Sequence, residues 1–336
     1  MSDNNEKPST AAAEPVQSYA EHFGTIRTLG ELTRNPDNRP WLTTVPKDAP
    51  RRKYVVWLGC NVLRTAHIAE SLDDILNHLQ TDFSTLGGPS NCCGIVHQGR
   101  GDVAVAKNML HQTMNKFDVF APEQLLNWCP SCDGTLRAAP QNELTETAKQ
   151  RISVTRFLAS QADRMNFTVA QPVKIAIHSH TGFAEQDSDG NDTRDLLSRI
   201  PGLTVVDMPL MENLLRHCSD AAIKGFGEAR YPEAMKEWAS EARRRGATQI
   251  VSVYHSCHRQ LLLTQRGWPH QDRMPVVNYL TLLAAALGLT ERKDKFAELS
   301  AETDVEAMIA DVEPSLQALA MKPDQARRAL KDQFKL

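Results

Sequence analysis

Apolar residues in this chain come mostly in short runs, each ending at a glycine, cysteine or histidine and followed by a stretch of helical spacing. Tyr54-Val55-Val56-Trp57-Leu58 reads as a buried strand, Gly59-Cys60 as the turn after it, and 64–79 as a helix. The loop Gly87-Gly88-Pro89-Ser90-Asn91 leads into Cys92-Cys93-Gly94 and a helix over 102–116; Gln124 to Trp128 leads into Cys129-Pro130-Ser131-Cys132 and another helix. The order then returns. Lys174 to Ile177 ends at His178-Ser179-His180, Leu203 to Asp207 runs towards His217-Cys218, and Gln249 to Tyr254 ends at His255-Ser256-Cys257-His258. Both halves close on an apolar helix signal, 152–158 and 276–283. Such a repeat predicts an α/β chain of two pseudo-equivalent Rossmann-like lobes with parallel sheets. We expect a disordered tail and arm over 1–50, a first lobe over 51–165, a second over 166–295 and a helical tail over 296–336. One helix is expected near Tyr19 to Leu29; Thr303, Asp304 and Pro323 are end signals in the tail.

Composition narrows the class. A chain of 336 residues with 41% hydrophobic content can bury a substantial core, and a net charge of -3 carries no nucleic-acid footprint. No run approaches the roughly 18 apolar residues of a membrane span, and the start MSDNNEKPST lacks the layout of a secretory signal, so a cytoplasmic location is expected. Neither a dinucleotide fingerprint nor a P-loop is present.

In a reducing compartment, clustered cysteines bind metal or do redox chemistry more often than they form structural disulfides. Of seven cysteines, five lie between Cys60 and Cys132: 31 residues separate Cys60 from Cys92, 35 separate Cys93 from Cys129, and two separate Cys129 from Cys132. Neighbouring Cα atoms lie about 3.8 Å apart, shorter than a relaxed disulfide allows, so Cys92 and Cys93 are better placed to grip adjacent metal ions. Five thiolates exceed the four that close a structural zinc site, whereas several irons with inorganic sulfide can share them. Strand ends followed by helix N-termini would supply backbone N–H donors and favour the thiolate form.

These cysteines resemble the CCG domain of heterodisulfide reductase B subunits and of related lactate- and glycolate-oxidising iron-sulfur proteins. The resemblance covers about 53–290, strongly in the first lobe. It implies a non-cubane [4Fe-4S] cluster held by Cys60, Cys92, Cys93, Cys129 and Cys132, in an iron-sulfur oxidoreductase acting on a small thiol or disulfide. Because ferredoxin-type cysteine runs are absent, electrons are expected through a ferredoxin-like iron-sulfur partner, of the C-subunit kind, in electron transfer. The family's scheme uses two facing clusters. Here one cysteine set is intact, so classical heterodisulfide reduction is not implied, and a scaffold or electron-transfer subunit is the alternative.

The second lobe departs from the pattern. Matching the lobes by their strands sets His180 against Cys60, His217-Cys218 against Cys92-Cys93, and His255-Ser256-Cys257-His258 against Cys129 to Cys132. Imidazoles suit a single iron or zinc ion better than a sulfide-rich cluster. His180, Cys218, His255 and His258 are the expected ligands, with His217, His178 and Cys257 beside them; a decayed repeat with no metal is the other reading. Trp57 and Trp128 are expected to screen the first site from water, and His67 and His97 to be exposed helix or loop residues.

Overall fold

The computed structural model describes residues 17–36, 38–168, 172–180, 184–209, 218 and 220–336. The expected tail over 1–16 lies outside them, as does His217.

Among these residues eight parallel strands form two four-stranded sheets with the same order. In the first lobe β1 (Tyr54–Gly59) sits between β2 (Phe83–Gly87) and β3 (Gln124–Asn127), with β4 (Arg151–Ser153) outside β3. In the second, β5 (Val173–His178) sits between β6 (Leu203–Val205) and β7 (Gln249–Ser252), with β8 (Val276–Asn278) outside β7. Val55, Val56, Trp57 and Leu58 are all buried, as expected for a parallel strand covered by helices on both faces.

Helix α1 (Tyr19–Thr33) precedes the sheets; α2 (Ala66–His78), α3 (Ile95–Gly99), α4 (Val103–Asp118), α5 (Pro130–Ala138), α6 (Glu146–Lys149) and α7 (Val154–Ser160) complete the first lobe. The second carries α8 (Ala184–Ser198), α9 (Asp220–Phe226), α10 (Arg230–Arg244), α11 (His255–Arg266) and α12 (Tyr279–Ala286). Helix α10 shows the underlying rule: Tyr231, Met235, Trp238, Ala239 and Ala242 fall on one face and are buried against β5 and β7 residues. The tail is α13 (Lys295–Ala301), α14 (Val305–Ala318), capped by Asp304, and α15 (Pro323–Phe334), opened by Pro323.

The signals over 152–158 and 276–283 were expected to be helical from their start. Each instead gives a three-residue edge strand, then a helix, because Ser153 and Asn278 cap α7 and α12 and the β-branched residues before them pair with β3 and β7. The two lobes then pack by a pseudo-twofold rule: α12 of the second lies on α2 of the first, and α7 of the first on α8 of the second. One apolar core, with Ile68, Leu72 and Ile75 on one side and Leu280 and Leu283 on the other, runs through the junction.

Helix α1 begins at a capping box of Ser18 and Glu21. Leu29 and Leu32 join the tail core with Leu330 and Phe334, while Ile26, with Phe23, packs on Cys60 and Cys92. What was expected to be a loose arm is therefore, from residue 17, a cover laid over part of the first lobe.

Candidate functional site

In an open α/β sheet ligands gather beyond the strand C-termini where the strand order reverses. Here that point lies between β1 and β3. Cys60 follows β1, and Cys129 and Cys132 occupy the N-cap and third position of α5. Cys92 and Cys93 follow a turn fixed by Asn91, whose Nδ2 donates to the carbonyl of Gly87 at 2.8 Å and whose own carbonyl accepts from Trp57 Nε1 at 2.8 Å. Gly94 adopts φ +83°, and a Cβ there would fall 2.6 Å from the carbonyl oxygen of Ala106, so only glycine fits after the paired cysteines.

The three loops bring the five sulfurs together. Cys60 and Cys92 Sγ are 3.6 Å apart, and Cys93 sits against Cys92 and Cys132, which in turn sits against Cys129. All five residues are buried and none carries a disulfide. The Cys132 thiol, then that of Cys92, holds Cys93 well below the ordinary thiol range; the Cys132 thiol likewise lowers Cys129, with His255 adding to the effect. Cys132 is pushed up by its bonds to Cys129 and Cys93, and Cys92 by its bonds to Cys60 and Cys93. Backbone donors face the pocket as well: Gly94 N–H lies 3.4 Å from Cys92 Sγ.

Gly59 shapes the floor. Its φ is +72°, and a Cβ there would stand 2.8 Å from Cys132 Sγ and 3.5 Å from Cys129 Cβ. Five adjacent thiols around a space that a single methyl would invade suit a group of thiophilic metal ions bridged by sulfide, and these are the residues that could hold one.

The expected second-lobe set does not meet at one point; it divides three ways. His178, Cys218 and Cys257 place ligand atoms within 4.8 Å of one another, all buried. Both ring nitrogens of His178 lack a hydrogen-bond partner, burial pushes its pKa down to about 4, and Tyr231 hydroxyl lies 3.8 Å from Cys218 Sγ. His180 stands beside them, its Nε2 accepting from the backbone N–H of Cys218 at 3.3 Å. His255 turns instead to the first lobe: Trp128 Nε1 donates to its Nδ1 at 3.1 Å, and the ring stands close enough to Cys129 to lower its thiol. His258 bonds Asp294 at 2.7 Å, with His67 alongside.

The reason is register. β1 pairs with β3 as far as Trp57↔Asn127, and β5 with β7 as far as His178↔Ser252. Asn127 and Ser252 each precede a helix N-cap by two residues, so Tyr254 matches Cys129 and Cys257 matches Cys132. The histidines copy the C-x-x-C spacing one residue out of phase, and in a helix that is a turn of about 100°. Two further expectations fail: His67 and His97 are buried, the latter stacked at 3.8 Å on Tyr19. Sequence reading passed over Asp294 entirely.

A cleft of about 210 Å³ opens between the lobes, with Pro130, Ser153, Arg156, Asp189 and Tyr254 on its walls. On the first-lobe side it is walled by Pro130, Asp133 and Arg137 of α5, and none of its lining residues is a cysteine. Tyr254 hydroxyl donates to Asp189 at 2.6 Å, and burial lifts that carboxyl to about 6.

Residues 54–137, from the start of β1 into α5, match the CCG cysteine-rich domain. The D subunit of the dihydromethanophenazine:CoB–CoM heterodisulfide reductase of Methanosarcina barkeri (strain Fusaro) is 25% identical over 301 residues, 82% of this chain and 70% of that one. Its counterpart in Methanosarcina acetivorans is 23% identical over 270 residues, 77% of this chain and 65% of that one. Both relatives are D subunits, where the cysteine pattern alone resembled B subunits; a heterodisulfide reductase-like subunit with a CCG domain is common to both readings. Among solved structures, a hypothetical protein from Helicobacter pylori aligns with a TM-score of 0.48 at 11% identity, covering 85% of this chain and 57% of that one. No helix among the described residues is long and apolar enough to cross a membrane.

Proposed function

We propose that this chain is a redox subunit whose first lobe holds a non-cubane [4Fe-4S] cluster through Cys60, Cys92, Cys93, Cys129 and Cys132. The observation that carries the reading is the continuous contact of five buried sulfurs from three loops. When bound, such a cluster supplies one-electron chemistry and an iron site able to take a sulfur ligand. The protein's own part is definite. Gly94 N–H directs a donor at Cys92 and the His255 ring stands beside Cys129, and donors to sulfur favour the more negative, reduced state. Trp128, by engaging Nδ1 of His255, leaves the ring proton on Nε2. Ile26 and Phe23 keep water from the Cys60 end, and the interlobe cleft is the route by which a small thiol or disulfide reaches the Cys129 end.

Electrons pass to or from an iron-sulfur partner subunit, in keeping with the multi-subunit enzymes to which the relatives belong. In the second lobe His178, Cys218 and Cys257 replace the ligand set read from sequence as the donors for one iron or zinc ion. A second reading, an electron-transfer subunit without catalysis, is favoured by one observation: no ligand cysteine is more than 8% exposed. Anaerobic purification with iron and sulfide analysis tests the cluster, four irons being expected in the first lobe; a colourless, iron-free protein refutes it. Thiol-dependent change in the cluster's EPR spectrum then separates catalysis from plain electron transfer.

A further inference from the structure

We infer that His67, His258 and Asp294 form a separate binding site for one divalent transition-metal ion at the seam of the two lobes. His67 comes from α2 of the first lobe, His258 from the first turn of α11 in the second, and Asp294 from the N-cap of α13 at the head of the tail. None belongs to the cysteine pocket. His258 Nε2 is 2.7 Å from Asp294 Oδ2, His67 Nδ1 is 3.3 Å from Asp294 Oδ1, and all three donor atoms lie within 4.8 Å of one another. Metal bonds of about 2.0–2.1 Å put neighbouring donors roughly 3 Å apart, the spacing found between Asp294 and each histidine, and the two histidine donors lie within 4.8 Å of each other.

The supporting contacts are those of a held ligand set. Ser252 Oγ lies 3.3 Å from Nδ1 of His258 and is itself fixed by Asn278 Nδ2 at 3.3 Å, so Nε2 is aimed at the carboxylate. Asp294 is oriented by the backbone N–H of Ala297, which donates to Oδ1 at 2.9 Å. His67 is buried, yet its Nδ1 makes no well-formed hydrogen bond. Asp294 keeps 23% of its side chain exposed and, with His67 and Thr281, lines a cleft of about 410 Å³. Two imidazoles, one carboxylate and an open side are the donor set of ferrous iron or zinc with exchangeable positions, and contain no sulfur. A bare ion-paired staple between the lobes is the competing account.

Cobalt(II) binding to the full chain, purified anaerobically, separates the two accounts. A Cys218→Ser, Cys257→Ser background removes both second-lobe thiols, and iron and sulfide are measured alongside to follow the cysteine pocket. One cobalt(II) per chain is expected, with the weak visible bands of nitrogen and oxygen ligation and no intense sulfur charge-transfer band. His67→Gln and Asp294→Asn each weaken binding at least ~100-fold, beyond the range seen on losing an outer partner of a ligand, and leave acid-labile sulfide unchanged. Should Asp294→Asn unfold the tail, His67→Gln carries the test, with thermal unfolding as the check on folding. No uptake by the parent, or uptake that survives His67→Gln, overturns the inference. Cobalt bound here by a chain without cluster iron would refute the proposed function and leave this site standing.

Discussion

Replacing Gly59 by alanine probes the cysteine pocket through a residue that is not a ligand. Two costs follow from the geometry. The first is backbone strain: φ is +72°, where an L-residue loses about 1–2 kcal/mol. The second is steric. The new Cβ would stand 2.8 Å from Cys132 Sγ, against an ordinary contact of about 3.6 Å, so the sulfur or the β1 turn must give by ~0.8 Å. Overpacking of that kind costs about 1–3 kcal/mol. More telling, ligand distances in a metal site tolerate only about 0.2 Å, so the displacement should empty the pocket of iron while the fold survives. Gly288 is the matched control: its φ is also +72°, and a Cβ there meets nothing within 4 Å. Urea unfolding should show Gly288→Ala losing about 1–2 kcal/mol from strain alone, and Gly59→Ala losing about 2–5 kcal/mol. Iron and acid-labile sulfide should stay at the parental level in the first and fall sharply in the second. A Gly59→Ala protein with full iron, full sulfide and an unaltered EPR spectrum would show that this close approach does not set the position of Cys132.

Cys132→Ser should abolish the cluster, and Cys257→Ser, its register equivalent, should leave first-lobe iron intact; iron per chain decides both. His255→Gln removes a donor to Cys129 and should lower the reduction potential by tens of millivolts in a redox titration, an unchanged potential counting against the contact. Burial lifts Asp73 to about 6, from the 3.8 of an exposed carboxyl, so the folded chain binds more protons than the unfolded one between those values and stability falls as pH rises through about 6. Asp73→Asn should therefore stabilise the protein at pH 7 and gain little at pH 4, read from urea midpoints at the two pH values.

The lobes were legible because strand-forming runs and their following helices repeat in the same order, and a period of that length survives loss of side-chain identity. The meeting of the five cysteines was legible for another reason: paired cysteines before a glycine and a C-x-x-C at a helix start each follow a strand of one sheet, and such strand ends share one edge. Legibility ended where one residue of phase mattered. His255 and His258 keep the spacing of the C-x-x-C motif but sit one position along α11, so one faces the neighbouring lobe and the other the tail. His178, at the end of β5, falls behind His180 when strand ends are matched by sequence alone; only the pairing His178↔Ser252 fixes the offset. Asp294 carried a local signal, a carboxylate ahead of a short helix, but its meeting with His67 depends on how the lobes close. No pattern along the chain encodes that contact.

Helix α1 lies on the Cys60 end of the sulfur set by one face and is gripped by α15 on the other, with Thr25 Oγ1 donating to Asp332 at 2.7 Å and Gln325 Nε2 to Thr28 at 3.1 Å. The beginning and the end of the fold thus form a single clasp. Peeling it from that face means releasing both ends at once, which covers the Cys60 end of the sulfurs on that side. Anything that loosened the last helix, a partner's grip or a truncation, would unlatch the first as well, and faster oxidation of the Cys60 and Cys92 thiols would be its earliest symptom.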